Sequence, residues 1–70
     1  METQTKKLLA YLKRHGSITP MQALTELGIM RLGARVYDLR AAGHSIDREL
    51  IEVPSRTAYH VRVARYSISA

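Results

Sequence analysis

Thr19-Pro20-Met21-Gln22 fixes a helix start within four residues. Threonine at the N-cap offers its hydroxyl to the first free backbone N–H groups. Proline at N1 has no N–H to leave unpaired, and glutamine at N3 reaches back to the N-cap N–H. Gly16 lies just upstream, where a C′ glycine would end a first helix. Downstream, Leu27-Gly28-Ile29 breaks the second helix with a glycine able to take positive φ. The first half of the chain is therefore committed to helix, tight break, short helix and a second break.

The flanking segments follow from hydrophobic spacing. A first helix is predicted from Thr3 or Thr5 as N-cap to about His15, because Leu8, Leu9 and Leu12 share one arc while Lys6, Ala10, Lys13 and Arg14 face away. Met21, Leu24 and Leu27 supply the apolar face of the short second helix. The third helix is predicted from Met30 or Arg31 to Gly43. Leu32, Val36 and Leu39 cluster within about 60° on its wheel and form the buried seam. Its outer face is then Met30, Ala34, Tyr37 and Ala41, flanked by Arg31 and Asp38 on one side and by Gly33 and Arg40 on the other.

After Gly43 the period changes. His44 to Val53 is rich in Ile, Leu and Val, Pro54-Ser55-Arg56-Thr57 reads as a turn, and Ala58 to Ser69 alternates β-branched and polar residues. These segments are predicted to pair as an antiparallel hairpin. Val61 and Val63 share one parity and Tyr66 and Ile68 the other, which predicts a bulge or face exchange near Ala64-Arg65.

Seventy residues are one small domain, expected to span 1–70, with eleven Lys plus Arg against six Asp plus Glu and a formal charge of +5. A core of this size leaves little surface for a deep substrate cavity, so an enzyme is not expected. Zero cysteines exclude a disulfide framework, a thiolate zinc site and a thiol nucleophile. His15, His44 and His60 are scattered, with no i, i+4 pair, so neither a metal nor another cofactor is predicted. No apolar run approaches the roughly 20 residues of a membrane span. Lys6, Lys7, Lys13 and Arg14 interrupt any signal-peptide core, so a cytoplasmic home is expected.

The stretch Gly16-Ser17-Ile18-Thr19, then Leu27-Gly28-Ile29, then Leu32-Gly33-Ala34-Arg35-Val36-Tyr37-Asp38-Leu39-Arg40-Ala41-Ala42-Gly43, closed by Val63-Ala64-Arg65-Tyr66, resembles the small winged helix-turn-helix proteins of bacteriophages and prophages. The likeness covers nearly the whole chain. It implies an α+β fold of three helices followed by a β-hairpin wing, with a short strand near Ser17-Ile18 joining the sheet. It also implies double-stranded DNA as partner, contacted by the third helix in the major groove and by the wing on the backbone or minor groove.

Residue chemistry agrees with that implication. Residues near the start of a recognition helix reach base edges, and here those are Met30, Arg31, Gly33, Ala34 and Tyr37. Gly33 and Ala34 let the helix axis approach the groove floor. Arg31 has the planar fork for guanine, against the plainer reading of a solvated first-turn arginine. Tyr37 either meets a phosphate or thymine methyl, or packs half-buried against the wing. Arg35 is better placed to pair with Asp38 than to meet DNA. Arg40, near the negative end of the helix dipole, is a stabilising or phosphate-facing residue. Arg56 at the wing tip is the candidate minor-groove or phosphate cation, and Thr19 and Gln22 are caps first and phosphate contacts second. Lys6, Lys7, Lys13 and Arg14 read chiefly as a solubilising face.

The function expected is a transcriptional regulator or a phage architectural factor of excisionase type. One module offers a small interface, so a homodimer or cooperative array is expected, with Tyr59, Val61 and Val63 as the dimer surface. The alternative is a protein-binding module, such as a phage inhibitor of a host enzyme, using the Met30, Ala34, Tyr37 and Ala41 face.

Overall fold

The computed structural model describes residues 3–54 and 60–69. Helix α1 (Thr3–His15) leads into strand β1 (Ser17–Ile18). A short second helix, α2 (Pro20–Gln22), widens into a π-helical turn over Ala23–Leu27. Helix α3 (Leu32–Ala41) and the hairpin strands β2 (Ile46–Pro54) and β3 (His60–Ile68) complete the order. The strands form one antiparallel sheet in the order β1-β3-β2. This is the α+β winged-helix plan, including the short strand at Ser17-Ile18.

Helix α1 buries Leu8 and Leu12 completely and sets Lys6, Lys13 and Arg14 in solvent. Thr5 is not an N-cap: the helix already runs through Thr3, and the Thr5 side chain is fully buried. Its hydroxyl donates to Asp38 Oδ2 at 3.3 Å, tying α1 to α3 across the core.

The second helix starts as its sequence dictates. Gln22 N–H donates to Thr19 Oγ1 at 3.3 Å and Thr19 N–H donates to Gln22 Oε1 at 3.0 Å, a complete capping box. Its inner face differs from the prediction. Ala23 is fully buried, whereas Met21 is 67% and Leu24 46% exposed. Ala23 and Leu27, at the two ends of the wider turn, face the core, which leaves Leu24 within the turn and Met21 before it on the outer side. Gly28, at φ 70°, then reverses the chain, and Ile29 is buried beyond it.

Helix α3 begins at Leu32, one or two residues later than predicted, with Arg31 as a non-helical N-cap. Leu32, Val36 and Leu39 are its buried seam, as their spacing requires. Gly43 at φ 101° closes it: His44 N–H donates to Leu39 O at 3.0 Å and Gly43 N–H to Arg40 O at 3.0 Å, the paired bonds of a Schellman end.

The hairpin register runs unbroken from Ile46 opposite Ile68 to Pro54 opposite His60. There is no bulge at Ala64-Arg65. Both parities are apolar because each sheet face meets a different neighbour. Tyr66 and Ile68 pack on the core near Ile46, while Val61 and Val63 line a groove with Met21, Pro20 and Val53. Pro54 belongs to β2, and the predicted turn residues Ser55, Arg56 and Thr57 lie outside the described residues. Leu8, Leu12, Ile18, Ala23, Ile29, Leu32, Val36, Leu39 and Ile46 form the core. No helix among the described residues is long and apolar enough to cross a membrane.

Candidate nucleic-acid interface

Burial of Leu32, Val36 and Leu39 decides which way α3 faces. Of the residues opposite that seam, Tyr37 is 72% exposed, and Met30, at the bend just before the helix, is 84% exposed. Arg31 and Gly33 are exposed beside them and Ala34 is half-buried. Five of the predicted contact residues therefore lie along the first half of α3 and the bend that leads into it.

The electrostatics of that end are distinctive. No side chain caps α3 and its first turn holds no acidic residue. The positive end of the helix dipole, with N–H groups that have no partner inside the helix, thus begins directly after Arg31, the N-cap residue. Among the described residues Arg31 makes no ion pair. The one acid on α3, Asp38, is neutralised where it stands: Arg35 Nε lies 3.2 Å from Asp38 Oδ2, the pairing anticipated from the i, i+3 spacing.

Two contacts hold the other flank of α3 against the sheet. Arg40 donates from Nε and Nη2 to the Ile46 carbonyl at 3.1 and 2.7 Å. This engages its fork in a tie between α3 and β2, the stabilising role of its two sequence readings. At the other end of the helix, a Cβ built on Gly33 would come 3.9 Å from the Tyr66 hydroxyl, an ordinary contact.

Thr19 and Gln22 do not join this cluster. They cap each other at the start of α2, and Thr19, Pro20 and Met21 share a groove of about 520 Å³ with Val53, Pro54, Val61 and Val63 at the root of the hairpin. Arg56 and Tyr59 lie outside the described residues. The α1 cations are also separate. Lys7 and Arg14 border a cleft with Tyr11, His15, Glu26 and Leu27, in which the Tyr11 hydroxyl donates to Glu26 Oε2 at 2.7 Å. That carboxylate bond holds the Tyr11 pKa above the ordinary tyrosine value, with desolvation adding to it.

Gln4 is a residue that sequence reasoning missed. It borders a shallow depression with Gly28, Met30, Arg31 and Arg35, where the first turn of α1 meets the start of α3. No local signal marks it, because only the packing of the two helices brings it there. On the hairpin, Arg65 Nε donates to Glu49 Oε1 at 2.8 Å and His60 Nδ1 lies 3.6 Å from Glu52 Oε2. Arg48 and Arg62 make no ion pair among the described residues.

A family model described as a winged helix-turn-helix domain matches residues 3–70. No curated protein and no solved structure matches the chain.

Proposed function

The chain belongs to the winged helix-turn-helix domain family, and from that premise we propose that it binds duplex DNA sequence-specifically, with α3 in the major groove and the hairpin on the backbone or minor groove. Domains of this kind in general bind DNA through the second helix of the motif. The observation that carries the proposal is the start of α3, where Arg31, without an ion-pair partner among the described residues, stands beside an uncapped helix N-terminus and an exposed glycine. Arg31 supplies a bidentate fork for guanine O6 and N7. The α3 N–H groups suit a phosphate. Gly33 and Ala34 permit close approach, and Tyr37 adds a hydroxyl one turn further on.

The protein acts by binding, not by catalysis. Its role is that of a transcriptional regulator or an excisionase-like architectural factor in the cytoplasm of a bacterial or phage-infected cell, working as a homodimer or cooperative array. A second reading, docking to a protein as a phage inhibitor does, is favoured by one observation: Met30 and Tyr37 are large, apolar in part and strongly exposed. A duplex titration at two salt concentrations, with wild type and Arg31→Ala, separates the two. DNA binding predicts steep salt weakening and a loss of sequence discrimination of about 1–3 kcal/mol in the variant. Salt-insensitive or absent binding favours the protein partner.

A further inference from the structure

The sheet order β1-β3-β2 leaves β2 with one unpaired edge along Ile46–Pro54. Two hydrogen bonds reveal which of its backbone groups face outward. Ser69 N–H donates to Ser45 O at 3.0 Å, so the odd-numbered residues of this run bond inward to β3. Arg40 reaches the Ile46 carbonyl from α3, so the even-numbered residues point away. Arg40 thus covers the outer edge at Ile46, and Pro54 has no N–H to offer at the other end. The open edge is Arg48, Leu50 and Glu52, each presenting one N–H and one C=O.

Those three residues are self-complementary in one antiparallel register. With Leu50 opposite Leu50 of a second copy, Arg48 faces Glu52 and Glu52 faces Arg48. All three pairs are outward-facing on both strands, and two bonds per pair give six across the junction. Every neighbouring register that keeps outward groups matched is worse. Centring on Arg48 or Glu52 opposes like charges, centring on Glu49 opposes Glu49 to itself and needs the Ile46 carbonyl, and centring on Ile51 opposes Arg48 to Pro54. Leu50 is 54% exposed at the centre, and Arg48 has no ion-pair partner among the described residues. Charges on an edge strand ordinarily keep it single. Here they match their own copy.

We infer that two copies of this chain associate through antiparallel pairing of their β2 edges, centred on Leu50 and locked by reciprocal Arg48 to Glu52 pairs, to form a six-stranded sheet. The surface is not the one the sequence predicted. Val61 and Val63 lie on β3 beyond Tyr66 and Ser67, the two residues that pair with β1, and line the groove with Pro20 and Met21, while Tyr59 lies outside the described residues. The dyad of such a junction is normal to the sheet, so both α3 helices lie on the same side of it. On the reading of α3 as the DNA-contacting helix, the dimer addresses half-sites in inverted orientation. A single pair of edge strands is a small contact beside stable dimers, which bury roughly 1,200 Å² or more. The pairing is therefore weak in free solution and strengthened where DNA holds two copies side by side.

Sedimentation without DNA, up to millimolar protein, tests the pairing independently of DNA binding. Arg48→Glu and Glu52→Arg each place like charges opposite one another and weaken self-association by about tenfold or more. An equimolar mixture of the two variants restores association, because the wholly acidic edge of the first then faces the wholly basic edge of the second. That rescue also shows that both variants are folded. A wild type monomeric throughout the range, or a dimer that neither variant weakens and the mixture does not favour, overturns the inference. On DNA, cooperative binding to inverted half-sites is expected, and cooperativity confined to direct repeats contradicts it.

Discussion

Gly33→Ala separates what the fold needs from what an outside partner needs. Gly16, Gly28 and Gly43 have φ of 90°, 70° and 101° and serve as helix-ending turns. Gly33 is not among these positive-φ glycines. It lies in the first turn of α3, and an added Cβ would meet only the Tyr66 hydroxyl at 3.9 Å. Nothing in the described interior requires a glycine there. Glycine in a helix is less stable than alanine by roughly 0.5–1 kcal/mol, and the first-turn position takes the lower figure, about 0.5 kcal/mol. For a domain of this size that gain raises Tm by about 2–4 °C. Thermal melting followed by circular dichroism measures it. If Gly33 exists to let α3 approach the groove floor, the same variant binds duplex DNA more weakly, and Gly33→Leu loses about tenfold or more in affinity, a loss of about 1.4 kcal/mol. A destabilised Gly33→Ala would refute the packing half of this reasoning. Folded Gly33→Ala and Gly33→Leu proteins with undiminished DNA affinity would refute the functional half.

Three further outcomes follow from the packing and the ion pairs. Leu39→Ala removes a fully buried side chain from the α3 seam and costs about 3–5 kcal/mol, against a total of about 4–10 kcal/mol for a chain of this length, so its denaturant midpoint falls sharply. Thr19→Ala deletes half of the capping box and lowers stability by about 1 kcal/mol in the same assay, with DNA affinity unchanged if Thr19 is a cap alone. Tyr11 is protonated to higher pH in the fold than in the unfolded chain, because its hydroxyl donates to Glu26. The stabilisation it brings is complete below the unfolded tyrosine pKa and is lost as pH rises through the raised folded value. A ring-carbon NMR titration reads that midpoint directly, and Glu26→Gln brings it down; an identical midpoint in both proteins contradicts the assignment.

The elements legible in the sequence are those written in local chemistry. The capping box at Thr19-Pro20-Met21-Gln22, the glycine stops and the seam of α3 are each fixed by residues within one or two turns of one another. What escaped depends on contacts distant in sequence. Thr5 reads as a cap until Asp38, 33 residues away, accepts its hydroxyl hydrogen bond. Met21 and Leu24 read as buried until Ala23 and Leu27, at the two ends of the π-helical turn, take the inner face. The parity change between Val63 and Tyr66 reads as a bulge until the groove beside Met21 gives the outer valines an apolar neighbour. The candidate interface was legible for the same reason as the α3 seam, since Met30, Arg31, Gly33, Ala34 and Tyr37 follow once the buried side is known. For Arg40 the stabilising role was legible but its partner was not, because that partner is a backbone carbonyl that no side-chain pattern announces.

Backbone amide NMR of the uniformly labelled protein, titrated with duplex DNA at low salt, tests most directly whether α3 is the DNA-contacting element. The largest shift changes are expected between Met30 and Tyr37, with Arg31 and Gly33 among them, and smaller ones on the α1 face of Lys6 and Lys13. Changes confined to α1 or to the groove around Met21 and Val61, or none at any duplex concentration, would contradict the assignment of α3 as the helix that meets DNA.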